Sequence, residues 1–378
     1  MKIVYLVKHY DQLGGKERVV FLKMNYLAEL DNTQVYLISS KEPAHDPYFY
    51  INPKIQIIHL GISERDKSKQ NISKYLEKLD GILKDIKPDI CISTGIELSI
   101  NIPLLRDGSS KIFEIHGPKY KRRAFLANWD KYLILRIFGY IYSYSYSQKI
   151  KKFDRFITLT DEDKEYWRGF TNIEVIPNPI SLNPHSVSDC DSKKVIALGR
   201  FVTQKAFDLL IAIWKEIRIT HPDWKLMLYG GGKKEHKLNK LISKLNLEDV
   251  VELLPATDRV EENLIGSSVY AMTSRYEGLP MVLLEAMSCG LPIISYACKC
   301  GPRDLIENGK NGFLVDFGDS KQFVKDLRIL LDDQNLRLQM GKEGKIKAMN
   351  YTMDIIMSKW LNLFSKLIEE KNVKSDML

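Results

Sequence analysis

The chain has 378 residues, 44% of them hydrophobic and 28% charged, which fits a soluble globular protein of about two domains and excludes a disordered or fibrous chain. Its net charge of +8 is fully accounted for between Lys111 and Arg155, where eleven Lys and Arg stand against three acids. No zinc-finger or RNA-binding-domain signature and no clear helix-turn-helix accompanies this stretch, so an anionic substrate or membrane surface, and no nucleic acid, is the expected partner.

In chain order, Ile3–Val7 is a five-residue apolar run, too short for a signal peptide. It is also the first of a series of short β-rich runs. Val35–Ile38, Ile55–Leu60, Ile90–Ser93, Ile112–Ile115 and Phe156–Thr160 follow in the first half, with helix candidates at Lys16–Leu30 and Ile72–Ile86. The stretch Tyr132–Ser147 carries Arg136 and several serines and falls short of the roughly 18 uncharged apolar residues of a membrane span. In the second half the runs are Val195–Leu198, Leu226–Tyr229, Val250–Leu254, Val269–Thr273, Ile293–Tyr296 and Gly312–Val315. The helix candidates there are Phe207–Thr220, Phe323–Leu331 and Ile355–Glu370. Near-continuously apolar, often β-branched runs suit strands buried on both faces of a parallel sheet. Their alternation with helices predicts an α/β fold. Ile176-Pro177-Asn178-Pro179-Ile180 and the polar tract Ser181–Lys194 read as an interdomain hinge, after which the strand–glycine–helix pattern restarts. Five cysteines (Cys91, Cys190, Cys289, Cys298 and Cys300) make an odd count without metal-type spacing. Reduced structural thiols are expected, and with them a cytoplasmic protein or one on the cytosolic face of a membrane.

The chemistry-bearing residues sit where strands end. Gly14-Gly15, after the first strand, allows close backbone approach to an anion at a helix N-terminus, or forms a tight loop; the full dinucleotide fingerprint is absent. Gly199-Arg200 with Lys205 opens the second half in the equivalent place. A planar fork and a mobile point charge at the carboxyl end of a Rossmann-like strand suit a diphosphate. Tyr229-Gly230-Gly231-Gly232 admits a nucleotide, a backbone crossing or a flexible turn. In Arg275–Gly290, Pro280 suits a first helical position and Gly290 a C-terminal cap. Glu277 then falls in the loop ahead of that helix and Glu285 inside it, as acceptors for sugar hydroxyls, while the apolar residues between them suit core packing. Asp189-Cys190-Asp191 has the Asp-x-Asp form of a metal-holding pair but lies in the polar tract, so a solvated loop and no catalytic metal are expected.

These residues resemble the family-4 glycosyltransferases, retaining enzymes that move a sugar from a nucleotide-sugar donor. The motifs that carry the resemblance are Gly14-Gly15-Lys16-Glu17-Arg18, Ile115-His116-Gly117, Pro177-Asn178-Pro179, Gly199-Arg200 with Lys205, and Glu277-Gly278-Leu279-Pro280 through Glu285-Ala286. They continue through Gly290-Leu291-Pro292, Gly301-Pro302-Arg303-Asp304 and Asn311-Gly312-Phe313. The resemblance implies a GT-B fold: two Rossmann-like domains facing a central cleft, with a C-terminal helix crossing back to the N-terminal domain. It implies an acceptor-binding domain at 1–178 plus the helix at about 355–378, and a donor-binding domain at 179–354. Arg200 and Lys205 would hold the diphosphate and stabilise the leaving group, Glu285 would bind the ribose, and Glu277 would contact the donor sugar. The backbone from Gly278 through Leu279, Pro280 and Met281 would assist, and Pro255 and Ala256 would meet the base. Gly14 and Gly15 would let the N-terminal domain close over the donor, and His116 would sit beside the transferring sugar. The family commonly has Gly where this chain has Ala206 and Pro255.

The expected activity is retaining, metal-independent transfer of a hexose or N-acetylhexosamine, without a cofactor. The donor expected from the Gly301–Asp304 motif is a UDP-sugar, with GDP-mannose second. The acceptor is a lipid-linked or saccharide chain in surface polysaccharide, capsule, lipopolysaccharide or glycolipid synthesis. A nucleotide-sugar epimerase or a non-catalytic sugar-nucleotide binder on the same scaffold are the alternatives. The basic segment, with Lys119, Lys121, Arg122 and Arg123 beside Phe125, Trp129 and Tyr132, suits a peripheral position on an anionic membrane, on its inner face; the alternative is that its apolar side packs on the N-terminal sheet and only the lysines are exposed.

Overall fold

The structure, a computed structural model, describes residues 1–11, 14–63, 66–95, 98–119 and 144–376. It divides into two compact units, Met1–Pro179 with Met353–Leu378, and Ile180–Thr352.

The first unit is built on a parallel sheet of seven strands. These are β1 (Lys2–Val7), β2 (Gln34–Ser39), β3 (Gln56–His59), β4 (Ile90–Ser93), β5 (Ser110–Glu114), β6 (Arg155–Thr158) and β7 (Ile173–Val175), in the order β3-β2-β1-β4-β5-β6-β7. Helices α1 (Gly15–Ala28), α2 (Lys69–Ile86) and α3 (Asp161–Tyr166) provide crossovers. Val4, Tyr5, Leu6, Leu37, Ile92 and Phe113 are almost fully buried, as strands covered on both faces require. Strand β7 is the element the apolar pattern does not announce: three half-buried residues at the sheet edge. The C-terminal helix, Met353–Asp376, packs on α1 and β5. It buries Ile356, Met357, Trp360, Leu363, Phe364 and Leu367 along one helical stripe, and Arg155 donates to Glu370 at 2.6 Å.

The second unit carries six parallel strands: β8 (Lys194–Leu198), β9 (Lys225–Tyr229), β10 (Val251–Leu254), β11 (Val269–Met272), β12 (Ile293–Tyr296) and β13 (Gly312–Val315). Their order, β10-β9-β8-β11-β12-β13, is that of a dinucleotide-type sheet, whose direction of progression reverses between β8 and β11. The helices are α4 (Phe207–Thr220), α5 (Glu235–Lys244), α6 (Val260–Ile265), α7 (Met281–Ser288), α8 (Pro302–Leu305), α9 (Ser320–Asp332) and α10 (Gln334–Ala348). All five cysteines are buried free thiols. No helix among the described residues is long and apolar enough to cross a membrane.

The polar tract after Pro179 is not a free linker. The Arg337 guanidinium, 5% exposed, donates through Nε and a terminal nitrogen to the Cys190 carbonyl at 3.0 and 2.8 Å and also to Leu330 and Leu331. Ser188 N donates to Cys289 O at 2.9 Å. Composition alone shows polarity; it does not show that a distant arginine collects the backbone carbonyls.

Candidate active site

Open α/β sheets leave a crevice at the carboxyl ends of their strands where the strand order reverses. In the second unit β8 and β11 pair at only Val195–Val269 and Ile196–Tyr270, while β8 and β9 pair over five residues. The Tyr270 hydroxyl replaces the next rungs, accepting from Leu198 N at 3.2 Å and donating to Leu198 O at 3.4 Å. Burial pushes this phenol well above its ordinary value, and Glu285 and Glu277 add to the effect. Tyr270 reads as a core aromatic in sequence, and nothing there signals that it holds the sheet apart.

Arg200 and Lys205 follow β8 into this crevice. Arg200 is exposed, and its side chain makes no hydrogen bond or ion pair among the described residues. Lys205 Nζ lies 2.9 Å from Glu277 Oε1, with the side chains 17% and 8% exposed. Gln204 Nε2 donates to Tyr276 O at 3.0 Å, and Arg275 N donates to Gln204 O at 2.8 Å. The β8 and β11 loops are therefore laced together around a lysine–glutamate pair. Ala206, which caps α4, is buried in the left-handed conformation (φ +50°), and its carbonyl accepts from Thr273 Oγ1 at 3.1 Å.

Glu277 is held from behind. Its N–H donates to Lys299 O at 3.0 Å. Gly301 (φ +94°) passes so close to the loop that an added Cβ would lie 2.6 Å from Gly278 O and 2.3 Å from Pro280 Cδ. In α7, Gly290 takes the left-handed cap position (φ +76°); Gly290 N donates to Met287 O and Leu291 N to Ala286 O, a Schellman termination. Pro280 is the N-cap and not the first helical residue, one position earlier than its φ preference suggests. It offers no capping side chain; Leu283 N donates to Pro280 O at 3.0 Å, which leaves the Met281 and Val282 N–H groups of the first turn for a ligand. Leu279 is buried and Met281 half-buried. Glu285, 3% exposed, accepts from Ser181 Oγ at 2.8 Å. Ser181 lies 104 residues away, and its role is invisible in the sequence.

The triple glycine is a backbone crossing. A Cβ on Gly230 would lie 2.0 Å from Gly199 O, and one on Gly232 2.9 Å from Phe201 O. Phe201 N donates to Gly231 O at 2.8 Å. Pro255 and Ala256 are exposed at the end of β10. Asp189 and Asp191 are exposed in a turn closed by Asp191 N donating to Asp189 Oδ1 at 3.1 Å. No three His, Cys, Asp or Glu side chains converge as a metal site among the described residues.

In the first unit, Gly15 starts α1 exposed, with no atom within 4 Å of an added Cβ. The fold itself therefore does not demand glycine there. His116 follows β5 with its side chain 8% exposed, and its Nε2 lies 3.3 Å from Glu114 Oε1. Glu114 also pairs with Lys23 of α1, both side chains being 1% exposed. Burial lowers His116 below its ordinary value, and the Glu114 charge offsets part of that. Burial pushes Glu114 up, but Lys23 and His116 outweigh it and hold the carboxyl down to about 2.

The basic segment divides at the limits of the described residues. Lys121, Arg122, Arg123 and the aromatic cluster from Phe125 to Ile141 lie outside them. Of the flanking cations, Lys111 is buried against Asp107, and Arg155 pairs with Glu174 and Glu370. Lys119 turns back, its Nζ 2.8 Å from Tyr166 O and 4.4 Å from the Trp167 ring centroid. These flanking cations are engaged within the protein.

Residues 183–347 match the family model described as Glycosyl transferases group 1. Over 96% of its length the chain is 29% identical to the amylovoran biosynthesis glycosyltransferase AmsD of Erwinia amylovora, 99% of which is covered. Among solved structures, it is similar to sucrose-phosphate synthase from Thermosynechococcus elongatus, with TM-score 0.82 and 18% identity over 98% of this chain and 99% of that one. It is also similar to Anabaena Alr3699/HepE in complex with UDP, with TM-score 0.75 and 16% identity over 97% and 100%. At such identities the structural likenesses speak for the fold alone, and that fold is GT-B, as the motifs led one to expect.

Proposed function

We propose, from the premise that this chain is a glycosyltransferase with a group 1 domain at residues 183–347, that it transfers a hexose or N-acetylhexosamine with retention from a UDP-sugar. The acceptor is a lipid-linked or saccharide chain in surface-polysaccharide synthesis. The observation that carries this reading is the Lys205–Glu277 pair at the carboxyl ends of β8 and β11, where the strand order reverses, with Arg200 on the same loop as Lys205. Cleavage of the sugar–diphosphate bond builds negative charge on the leaving phosphate. The Arg200 guanidinium, the Lys205 ammonium and the α7 N-terminus stabilise that charge, as oxyanion-hole donors do. The departing phosphate takes the acceptor's proton, so the reaction calls for no separate side-chain base. Glu285, oriented by Ser181, binds the ribose hydroxyls; Glu277 binds the sugar; Pro255 and Ala256 meet the base; Gly14, Gly15 and His116 serve the sugar from the first unit. The reaction is assigned no metal or cofactor.

The test is incubation with radiolabelled UDP-, GDP- and ADP-sugars, with and without a lipid-linked acceptor. Acceptor-dependent incorporation from a UDP-sugar supports the reading. Isomerised donor without an acceptor indicates an epimerase, and tight binding without turnover indicates a sugar-nucleotide binder.

A further inference from the structure

Lys23, Glu114 and His116 form a buried cluster from two places in the first unit. Glu114 and His116 are two residues apart at the end of β5 and share a face. Lys23 reaches them from α1, two turns beyond Gly15, and its Nζ lies 4.4 Å from the Trp360 ring centroid of the C-terminal helix. Glu114 Oε2, both ring nitrogens of His116 and the hydroxyl of nearby Tyr5 are buried without a hydrogen-bond partner, and the Glu114 carboxylate is the charge that faces the His116 ring, Oε1 lying 3.3 Å from Nε2. Stability is a poor reason for this arrangement, because replacing a buried ion pair by apolar groups of the same volume is often neutral or stabilising.

We propose that Glu114, balanced by Lys23, is a positioning residue for His116. Its carboxylate holds the neutral imidazole with the proton on Nε2, leaving Nδ1 as a hydrogen-bond acceptor. This inference rests on the reading that His116 serves the donor sugar. The tie through Lys23 also fixes the helix that begins at Gly15 relative to the imidazole, so that both candidate groups of this unit share one support.

Two measurements test it. The first is ring-15N histidine NMR at pH 7, with His116 assigned by its loss in His116→Asn; it needs no substrate. We expect the Nε2–H tautomer in the wild type and a changed tautomer population in Glu114→Gln. A wild-type Nδ1–H tautomer, or identical His116 signals in the two proteins, overturns the proposal. The second is UDP release from a UDP-sugar by the double variant Lys23→Met/Glu114→Gln, which removes both buried charges and keeps the proposal testable if a single variant does not fold. Its melting temperature should stay within a few degrees of wild type, while kcat falls tenfold or more with little change in KM. In a His116→Asn background the same pair of changes should cost less than twofold. Full turnover in the double variant would make the pair merely structural. If the wild type releases no UDP from any sugar, the reading of function fails, and the NMR result still decides the positioning role.

Discussion

Lys205 neutralises its charge against Glu277 at 2.9 Å, so a diphosphate must share this lysine with the carboxylate. Removing the carboxylate's charge therefore leaves the cation more available to phosphate. In Glu277→Gln, free UDP should bind as tightly as in wild type or more so, while use of the sugar donor is damaged. Glu285→Gln keeps the shape beside Ser181 but exchanges a charged acceptor for a neutral one. Hydrogen bonds to charged groups are worth about 1 kcal/mol more than neutral ones, so UDP affinity should drop roughly fivefold to tenfold. Calorimetry with UDP alone compares the two variants, and equal losses would refute the division of labour. Glu277 and Glu285 were legible because Pro280 and Gly290 mark out a short helix that begins just after the first of them and contains the second. The groups that position them were not: Ser181 meets Glu285 across 104 residues, and the Lys299 carbonyl holds the Glu277 N–H from another loop. Lys23 sits in a helix where, by residue type alone, it looks like any solvated lysine.

At the scale of elements, the strands were legible because burial on both faces writes a continuous apolar run; Ile90–Ser93, Ile293–Tyr296 and Gly312–Val315 begin and end where the runs do. Strand β7 was not, since an edge strand of three half-buried residues needs no such run. The glycines of the site divide by their surroundings. Gly230, Gly232 and Gly301 are required by backbone approaching within van der Waals distance, whereas Gly15 borders open space. Ala206 is the converse case, an alanine held left-handed at φ +50° and fully buried, where backbone conformation favours glycine. That conformation costs an L-residue roughly 1–2 kcal/mol. In Ala206→Gly the relief is offset by the freer unfolded chain and the lost methyl, so stability should stay within about 1 kcal/mol of wild type. Ala206→Val adds a β-branch to the strained position and should cost about 2 kcal/mol or more. Denaturant unfolding distinguishes them, and a valine variant as stable as wild type would contradict the left-handed cap.

For the whole molecule, the chain crosses between its two units after Pro179 and again before Met353, and the first unit carries two electrostatic features. In the first, the Glu114 carboxyl is held to about 2 in the folded protein, below its ordinary 4.5, despite burial. A depressed carboxyl contributes stability that is complete above its unfolded value and is lost as pH falls through the folded one. The melting temperature of wild type should therefore fall relative to Lys23→Met/Glu114→Gln between pH 5 and pH 2.5; a constant difference across that range would contradict the assigned charge state. The basic stretch from Lys111 to Arg155 gives a second prediction at this scale. Lys119 is engaged internally, so membrane attraction rests on Lys121, Arg122 and Arg123, each worth about 1 kcal/mol beside an anionic leaflet. Co-sedimentation with anionic liposomes should appear at low salt, fade with added salt, and weaken when these three become glutamine. Protein that stays in the supernatant at low salt would point to a soluble acceptor.

The central claim is that Arg200 and Lys205 stabilise the leaving diphosphate at the carboxyl end of β8, and UDP release from a UDP-sugar by Arg200→Ala and Lys205→Ala measures it directly. Removing one charge-stabilising donor at a reacting group costs about 2.7–4 kcal/mol of transition-state stabilisation. Both variants should keep the wild-type melting temperature within a few degrees and lose turnover a hundredfold or more. Turnover within threefold of wild type in both would remove these cations from the reaction.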